Sequence, residues 1–170
     1  MNISLKTSEA LDLLVGKAFD LNRSFDRAVS IMQNKWCMPQ AADIIHHKLA
    51  HLFPALADII SGFKDDCNAT TVYPETHKDD RDYSNLLVMM SVLREEVLDF
   101  YEMIKMVYKI AEEENDFNAE AMLIDFMNKL TKVISQMNTL KDKAEQMPTG
   151  WDLFDNHISS WGINGLDLGE

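Results

Sequence analysis

Four amphipathic stretches joined by links of unequal length restrict how this 170-residue chain can fold. The first link, residues 35–38, is short and leads into Pro39, which the first turn of a helix accepts because its missing N–H is not needed there. The third link, Asn115-Asp116, is also short, whereas residues 63–84 lack a helical period and are long for a loop in a compact domain. Short links make antiparallel hairpins. The chain is therefore predicted to form two helical hairpins joined by one long crossover.

Apolar residues recur every three or four positions in each stretch, as on the buried face of a helix. The predicted helices cover about residues 8–34, 39–61, 82 or 84 to 114, and 118–146. Gly62 is the predicted stop of the second helix. Scarce proline and glycine favour an all-α protein, and 46% hydrophobic residues are enough for one core. The predicted architecture is an all-α four-helix bundle over residues 1–147 with a C-terminal tail over residues 148–170.

The tail, PTGWDLFDNHISSWGINGLDLGE, is aromatic and acidic, with two tryptophans and no lysine or arginine. Aromatic side chains of this size are rarely left in water, so the tail is predicted to pack against the bundle. A short fifth helix is a compatible structure for it. The sequence does not indicate where on the bundle it packs.

The charge of the chain limits its partners. A net charge of −12 and a pI near 4.7 argue against a nucleic-acid or anionic-membrane binder, because phosphate groups would repel the surface. Asp12 and Lys17 interrupt the apolar positions near the N-terminus, which indicates an amphipathic helix and not a signal peptide, and no stretch is apolar enough to span a membrane. Cys37 and Cys67 flank a predicted helix that holds them roughly 36 Å apart, too far for a disulfide. A cytoplasmic protein is expected.

The stretch DIIHHKLAH, residues 43–51, holds three of the five histidines. At 100° per residue, His47, His51 and Asp58 lie opposite the apolar seam of the second helix, with Asp43 at their edge and His46 away from both stripes. The seam itself is Ala41, Ile45, Leu49, Leu52, Leu56 and Ile59. The outward stripe is either a metal site that needs further ligands or an ordinary solvated face. Pro54 falls inside the same helix and predicts a local kink.

The third predicted helix is apolar on two sides. Its second stripe consists of Val88, Val92, Met103, Met106 and Ile110. Such a helix is either central to its fold or covered by an oligomer partner. Glu96 and Asp99 lie along that stripe and are expected to be more buried than Glu95 or Glu102. A buried acid needs a partner, which can be a metal, an arginine or a hydroxyl, so both are candidate metal ligands.

The layout, together with Leu21-Asn22 and AEEENDF (residues 111–117), resembles the ferritin-like family over residues 8–146. That resemblance implies oxidation of ferrous iron at a di-iron centre inside the bundle, built on an inward-facing Glu-x-x-His and carboxylates from other helices. The chain contains no Glu-x-x-His. Asp43-x-x-His46 has the spacing, but those residues are not predicted to share the inward face. An ordinary ferritin centre is therefore not expected.

The mini-ferritins of the Dps-like branch are a closer resemblance in layout, and they imply an iron site between subunits on the outward faces of the first two helices. Their pattern resembles a His-Trp, a histidine about eleven positions later, and Asp-x-x-x-Glu late in the second helix. Here Trp36 and His47 have this spacing, and Asp58 lies late in the second helix but about one turn closer to His47 than the pattern suggests. Lys35 stands in place of the first histidine and Gly62 in place of the glutamate.

The leading hypothesis is a ferritin-like protein that binds iron and oxidises or stores it at an intersubunit site. The candidate ligands are His47, His51, Asp58, Asp43, Glu96 and Asp99. No residue is assigned a catalytic role, and zinc or no metal at all are alternatives to iron. Self-association into a dimer or a larger assembly is expected. The alternative from another class is a non-catalytic helical bundle that has lost the metal site and binds a partner protein.

Overall fold

A computed structural model describes residues 2–168, and the regular structure in that range is helical. The elements are α1 (Leu5–Asn34), α2 (Pro39–Ile45), a π-helical turn (His46–Ala50), α3 (Leu52–Asp66), α4 (Leu86–Glu113), α5 (Phe117–Gln146), α6 (Trp151–His157) and a 3₁₀ turn (Ile158–Ser160). The predicted all-α fold with its long crossover and ordered tail is confirmed, and the second predicted helix is divided by the π turn. Within residues 2–168, no helix is both long and apolar enough to cross a membrane.

Side-chain caps and left-handed residues set where the helices begin and end. The Asn85 side chain accepts a hydrogen bond of 2.9 Å from the Val88 amide, so α4 is capped by Asn85 and not by Asp82 or Ser84. The predicted stop at Gly62 is wrong. Helix α3 runs on to Asp66 and ends where Asn68 takes φ 58°, with the Ala69 amide bonded to the Lys64 carbonyl at 2.8 Å. Asn tolerates this left-handed conformation better than most residues.

The predicted seams meet in one apolar core. Helix α1 packs on α2, α3 and α4, and α4 packs on α5. At the centre, the ring of Phe53 lies 5.2 Å from that of Phe25 and 6.2 Å from that of Phe100. The buried polar or charged residues in the described part of the chain are Thr7, Asp12, Ser24, Lys64 and Asp155. The interior of the bundle is thus filled mainly by apolar side chains.

The crossover, residues 67–85, runs along α1. Asp20 accepts a hydrogen bond of 2.9 Å from the His77 amide, and Arg27 Nε donates to the Arg81 carbonyl at 2.8 Å. A Cβ on Gly16 would stand 2.9 Å from Pro74 Cγ, so the crossover approaches the helix backbone closely there. These contacts bring the second hairpin back beside the first, as the predicted topology requires.

The tail packs over α2 and over the link that precedes it. Trp151 stacks on Trp36 with ring centres 5.3 Å apart and an interplanar angle of 10°. Phe154 is buried and meets Trp161 edge to face at 4.9 Å. The carboxylate of Asp155, also buried, accepts a hydrogen bond of 2.7 Å from the Ala41 amide near the start of α2. The tail therefore covers one end of the helix that carries the histidines.

Candidate metal centre

The histidine-rich stretch forms a π turn over His46–Ala50. The His51 amide donates to the His46 carbonyl at 3.2 Å, which is an i to i+5 bond in place of the i to i+4 bond of an α-helix. Because this wider turn places residues five apart above one another, His46 and His51 share a face. Single π turns of this kind occur frequently at functional sites.

Pro54 and Asn22 explain how the helix accommodates the π turn. Proline lacks the N–H that would bond the carbonyl four residues earlier, which here belongs to Ala50. The Asn22 side chain on α1 supplies the missing donor, since its Nδ2 lies 2.9 Å from that carbonyl. The predicted kink at Pro54 is therefore a π turn directly upstream, stabilised from the neighbouring helix.

Asn22→Leu is expected to lower the free energy of unfolding by about 1–3 kcal/mol, because the buried Ala50 carbonyl would lose its donor. Urea denaturation measures the loss. Asn34→Leu is the matched control, because the Asn34 side chain is exposed and bonds only locally to Ser30, and its effect should stay within about 0.5 kcal/mol. Equal midpoints for the two variants would contradict the role given to Asn22.

The side chains of His46, His47 and His51, called here the histidine trio, converge on one surface point. One ring nitrogen from each lies within 4.8 Å of the others. The ring centres are 4.3 Å apart for His46 and His51, 4.9 Å for His46 and His47, and 5.3 Å for His47 and His51. Two nitrogens on one zinc ion lie at most about 4.2 Å apart, so small rotations of the partly exposed rings bring the trio into ligating range. The trio fits a divalent transition-metal ion.

Two carboxylates orient the rings of the trio. Asp26 Oδ1 on α1 lies 3.1 Å from His46 Nδ1, and Asp43 Oδ1 lies 3.3 Å from His47 Nε2. Metal-bound histidines commonly give their second ring nitrogen to a carboxylate, which fixes the tautomer and ring direction. The Asp26 contact leaves His46 Nε2 available, and the Asp43 contact leaves His47 Nδ1 available. Each of these histidines thus has a carboxylate partner and a second nitrogen free for a metal.

The structure brings together some of the predicted ligands and separates others. His47 and His51 belong to the trio, and Asp43 adjoins it. Asp58 is exposed on α3 and is not part of the group. His46 is the third member of the trio, although the geometry of a regular helix assigned it to neither stripe. The signal that could have identified it was the proline inside the predicted helix, which indicates that regular 100° spacing fails nearby.

Glu96 and Asp99 lie on α4, away from the trio. Asp99 is exposed, contrary to expectation, whereas Glu96 is half-buried and its Oε1 accepts a hydrogen bond of 2.6 Å from Arg81. Arg81 also bonds Asp79 at 2.6 Å and Ser24 at 2.9 Å. Although burial opposes it, the hydrogen bonds and charge of Arg81 lower the pKa of Asp79. Of the partners left open for Glu96, the observed one is an arginine.

Residues 36–147 match the family model of the ferritin-like domain. The chain belongs to the ferritin-like family. Its fold is similar to that of an open pore ferritin from the hyperthermophilic archaeon Archaeoglobus fulgidus, with a TM-score of 0.86 over 92% of this chain and 96% of that one. Sequence identity is only 12%, so this likeness concerns the fold. No curated protein matches the chain.

The interior of this ferritin-like bundle does not fit a di-iron centre. Such a centre needs several carboxylates and histidines facing inward from the four helices. The two buried carboxylates of the described chain are already engaged, Asp12 by Lys64 and Asp155 by the Ala41 amide. The central space between the helices holds the rings of Phe25, Phe53 and Phe100. The trio on the outer face is therefore the candidate metal centre of the described chain.

Proposed function

We propose that this ferritin-like protein binds divalent transition-metal ions, iron(II) as its substrate, at the trio of His46, His47 and His51. The observation that supports the proposal is the convergence of three imidazoles on one π turn, with two of them oriented by carboxylates. Imidazole nitrogen suits iron, zinc, copper and nickel. Membership of the ferritin-like family favours iron among them, and a net charge of −12 raises the local cation concentration.

Oxidation or storage of the bound iron is the second part of the proposal. Three protein ligands leave coordination positions for water or an oxidant. Four iron(II) ions each giving one electron would reduce one dioxygen, which takes up four protons to form two waters. His51 is exposed and the His47 side chain is 57% exposed, so an oxidant and a second subunit can both approach. Zinc bound without oxidation is the alternative use of the same ligands.

The test of binding is anaerobic calorimetric titration of the metal-free protein with iron(II), and in parallel with zinc. His51→Ala is expected to weaken binding at least about 100-fold, because even the loss of an outer-shell partner typically costs 10–100-fold. His77→Ala is the matched control, since His77 is exposed and pairs with Asp20 away from the trio. Unchanged affinity and stoichiometry in His51→Ala would overturn the proposed site. Aerobic titration then separates a ferroxidase, which shows saturable oxidation above a protein-free control, from a simple metal binder.

Self-association is proposed on the basis of exposed apolar side chains on α1 and α4. Leu13 is 56% exposed and Met106 is 66% exposed. Leu13 and the half-buried Ile110 line an open groove between the two helices. Met106 lies one turn before Ile110 on α4, and Val88 on the same stripe is also exposed. Surfaces of this kind mark protein–protein contacts. Sedimentation equilibrium at several protein concentrations measures the assembly, and a monomer at all of them would contradict it.

The same exposed residues also favour the second candidate function, a bundle that binds a different protein through the α1–α4 face. This reading needs no metal at the trio. A monomeric metal-free chain with no saturable binding of iron or zinc would support this second function. Metal binding by the wild-type protein that His51→Ala removes would instead support the metal site.

The cysteines support placing the protein in a reducing compartment such as the cytoplasm. Cys37 is an exposed free thiol and Cys67 a buried one. Burial raises the pKa of the Cys67 thiol, which keeps it protonated and unreactive. An exposed free thiol such as Cys37 persists best where disulfide formation is disfavoured.

A further inference from the structure

Asn164 and Gly165, near the end of the described tail, are held against α5 by the side chain of Gln136. Gln136 Oε1 accepts hydrogen bonds from the Asn164 amide at 3.1 Å and the Gly165 amide at 2.8 Å. Its Nε2 donates to the Gly165 carbonyl at 2.9 Å and to Asn164 Oδ1 at 3.2 Å. One side-chain amide thus satisfies the tail backbone on both sides of Gly165. This fixes the position and the direction of the chain at that point.

Gly165 places the tail directly against the π turn. Its φ is +65°, and a Cβ built on it would stand 2.1 Å from the Lys48 carbonyl oxygen. Lys48 lies within the π turn that carries the trio. Because the obstructing atom is backbone, only glycine allows this approach. The tail therefore packs directly against the backbone of the π turn that carries the three histidines.

Beyond Gly165 the chain continues alongside two members of the trio. Leu166 and Leu168 are half-buried and pack on the core, whereas Asp167 between them is exposed. An open pocket of about 250 Å³ is lined by His47, His51 and Asp167, and also by Lys48, Leu52, Ala55, Leu166 and Leu168. The tail thus brings one carboxylate to a pocket that already holds two imidazoles.

We propose that Asp167 is a further ligand of the metal bound at the trio, so that the C-terminal segment forms an arm of the site. With the three imidazoles of the trio, Asp167 would complete a set of nitrogen and carboxylate oxygen donors, which suits non-haem iron(II) and still leaves positions open for an oxidant in an octahedral site. The carboxylate also offsets part of the charge of a divalent ion, which neutral imidazoles do not. This inference rests on the proposed function, and it gives Asp167 the role that the sequence pattern assigned to Asp58.

The test uses the metal-free full-length chain and cobalt(II), whose visible absorption reports its ligand set. Asp167→Asn keeps the shape of the side chain and removes the charge. We expect it to weaken cobalt(II) binding about tenfold or more and to shift the absorption bands of the complex. Asp152→Asn is the matched control, because Asp152 is an exposed acid of the same tail outside this pocket. It should bind cobalt(II) as the wild type does.

A second variant tests the role of the C-terminal segment by disturbing the contact between Gly165 and Lys48. Gly165→Ala introduces a Cβ at a strained φ and against the Lys48 carbonyl, so it should displace the tail from the π turn. Its cobalt(II) affinity and absorption spectrum should then match those of Asp167→Asn. Helical circular dichroism of both variants verifies that the bundle is folded.

The outcomes separate the arm from the site itself. Wild-type affinity and spectrum in Asp167→Asn, with binding abolished in His51→Ala, would overturn the arm and leave the trio as the metal site. Failure of the wild-type protein to bind cobalt(II) and iron(II) would overturn the proposed function and the arm together. Loss in Asp167→Asn with retention in Asp152→Asn supports the arm.

Discussion

Asp12→Ala is expected to lower the free energy of unfolding by about 3–5 kcal/mol, because it breaks a buried ion pair. Lys64 on α3 is fully buried, and its ammonium contacts the Asp12 carboxylate and the Ser8 carbonyl, the latter at 3.2 Å. The same carboxylate accepts a hydrogen bond of 3.1 Å from the Val72 amide of the crossover. Removing it leaves a buried positive charge without a counter-ion and breaks one of the hydrogen bonds that hold the crossover against α1.

Chemical denaturation at neutral pH measures this loss. Asp125→Ala is the control, because Asp125 is exposed and its partner Lys129 is half-buried at the surface, and surface pairs contribute only about 0–1 kcal/mol. The double variant Asp12→Leu with Lys64→Met should recover most of the lost stability, since apolar replacement of a whole buried pair is often neutral or stabilising. A single variant as stable as the Asp125 control would show that Lys64 finds another partner or reaches water.

Phe53→Ala is expected to lower the free energy of unfolding by a similar amount, about 3–5 kcal/mol. The ring is fully buried between those of Phe25 and Phe100, so truncation leaves a cavity in the centre of the bundle. Urea denaturation with an unchanged slope would assign the loss to the folded state. Phe117→Ala provides the comparison, because Phe117 is 71% exposed and should change stability by no more than about 0.5 kcal/mol.

A loss below about 1 kcal/mol in Phe53→Ala would mean that the neighbouring rings close the cavity, which well-packed cores seldom do. It would also show that the interior of the bundle tolerates a smaller side chain at this position. A bundle interior built on three aromatic rings is stabilised by packing, whereas one built on carboxylates depends on a bound metal. A large loss would show that aromatic packing stabilises this interior, where residues 2–168 bring no group of metal ligands together.

The helices were predictable because apolar residues recur at helical spacing in each of them. The topology was predictable because the lengths of the three links leave few arrangements. Most of the seam of the fourth predicted helix, for example Leu123, Leu130 and Val133, is buried in α5, and its remaining members are half-buried. Helix ends were less predictable. Gly62 lies in the interior of α3 with open space around its Cα, and the end of that helix depends on Asn68 adopting a left-handed conformation. Helix propensity alone favours a stop at Gly62, because glycine is a poorer helix former than asparagine.

The candidate site was predictable only in part, for a geometric reason. The angular spacing of a regular helix places His47 and His51 correctly on the outer face, but a π turn rotates His46 into the same group. The contact between Gly165 and Lys48 joins residues far apart in the sequence, and periodicity carries no information about such pairs. Both features depend on tertiary structure, namely the carbonyl taken by Asn22 and the backbone held by Gln136.

The stacked indoles of Trp36 and Trp151 give the protein an optical property of its own. The chain has three tryptophans, and the third, Trp161, lies against Phe154 in the tail with the Lys143 ammonium 5.4 Å from its ring centre. All of the intrinsic tryptophan emission therefore originates where the tail meets the bundle, and none of it from the four-helix interior. Fluorescence of this chain follows the docking of its C-terminal segment, without any attached dye.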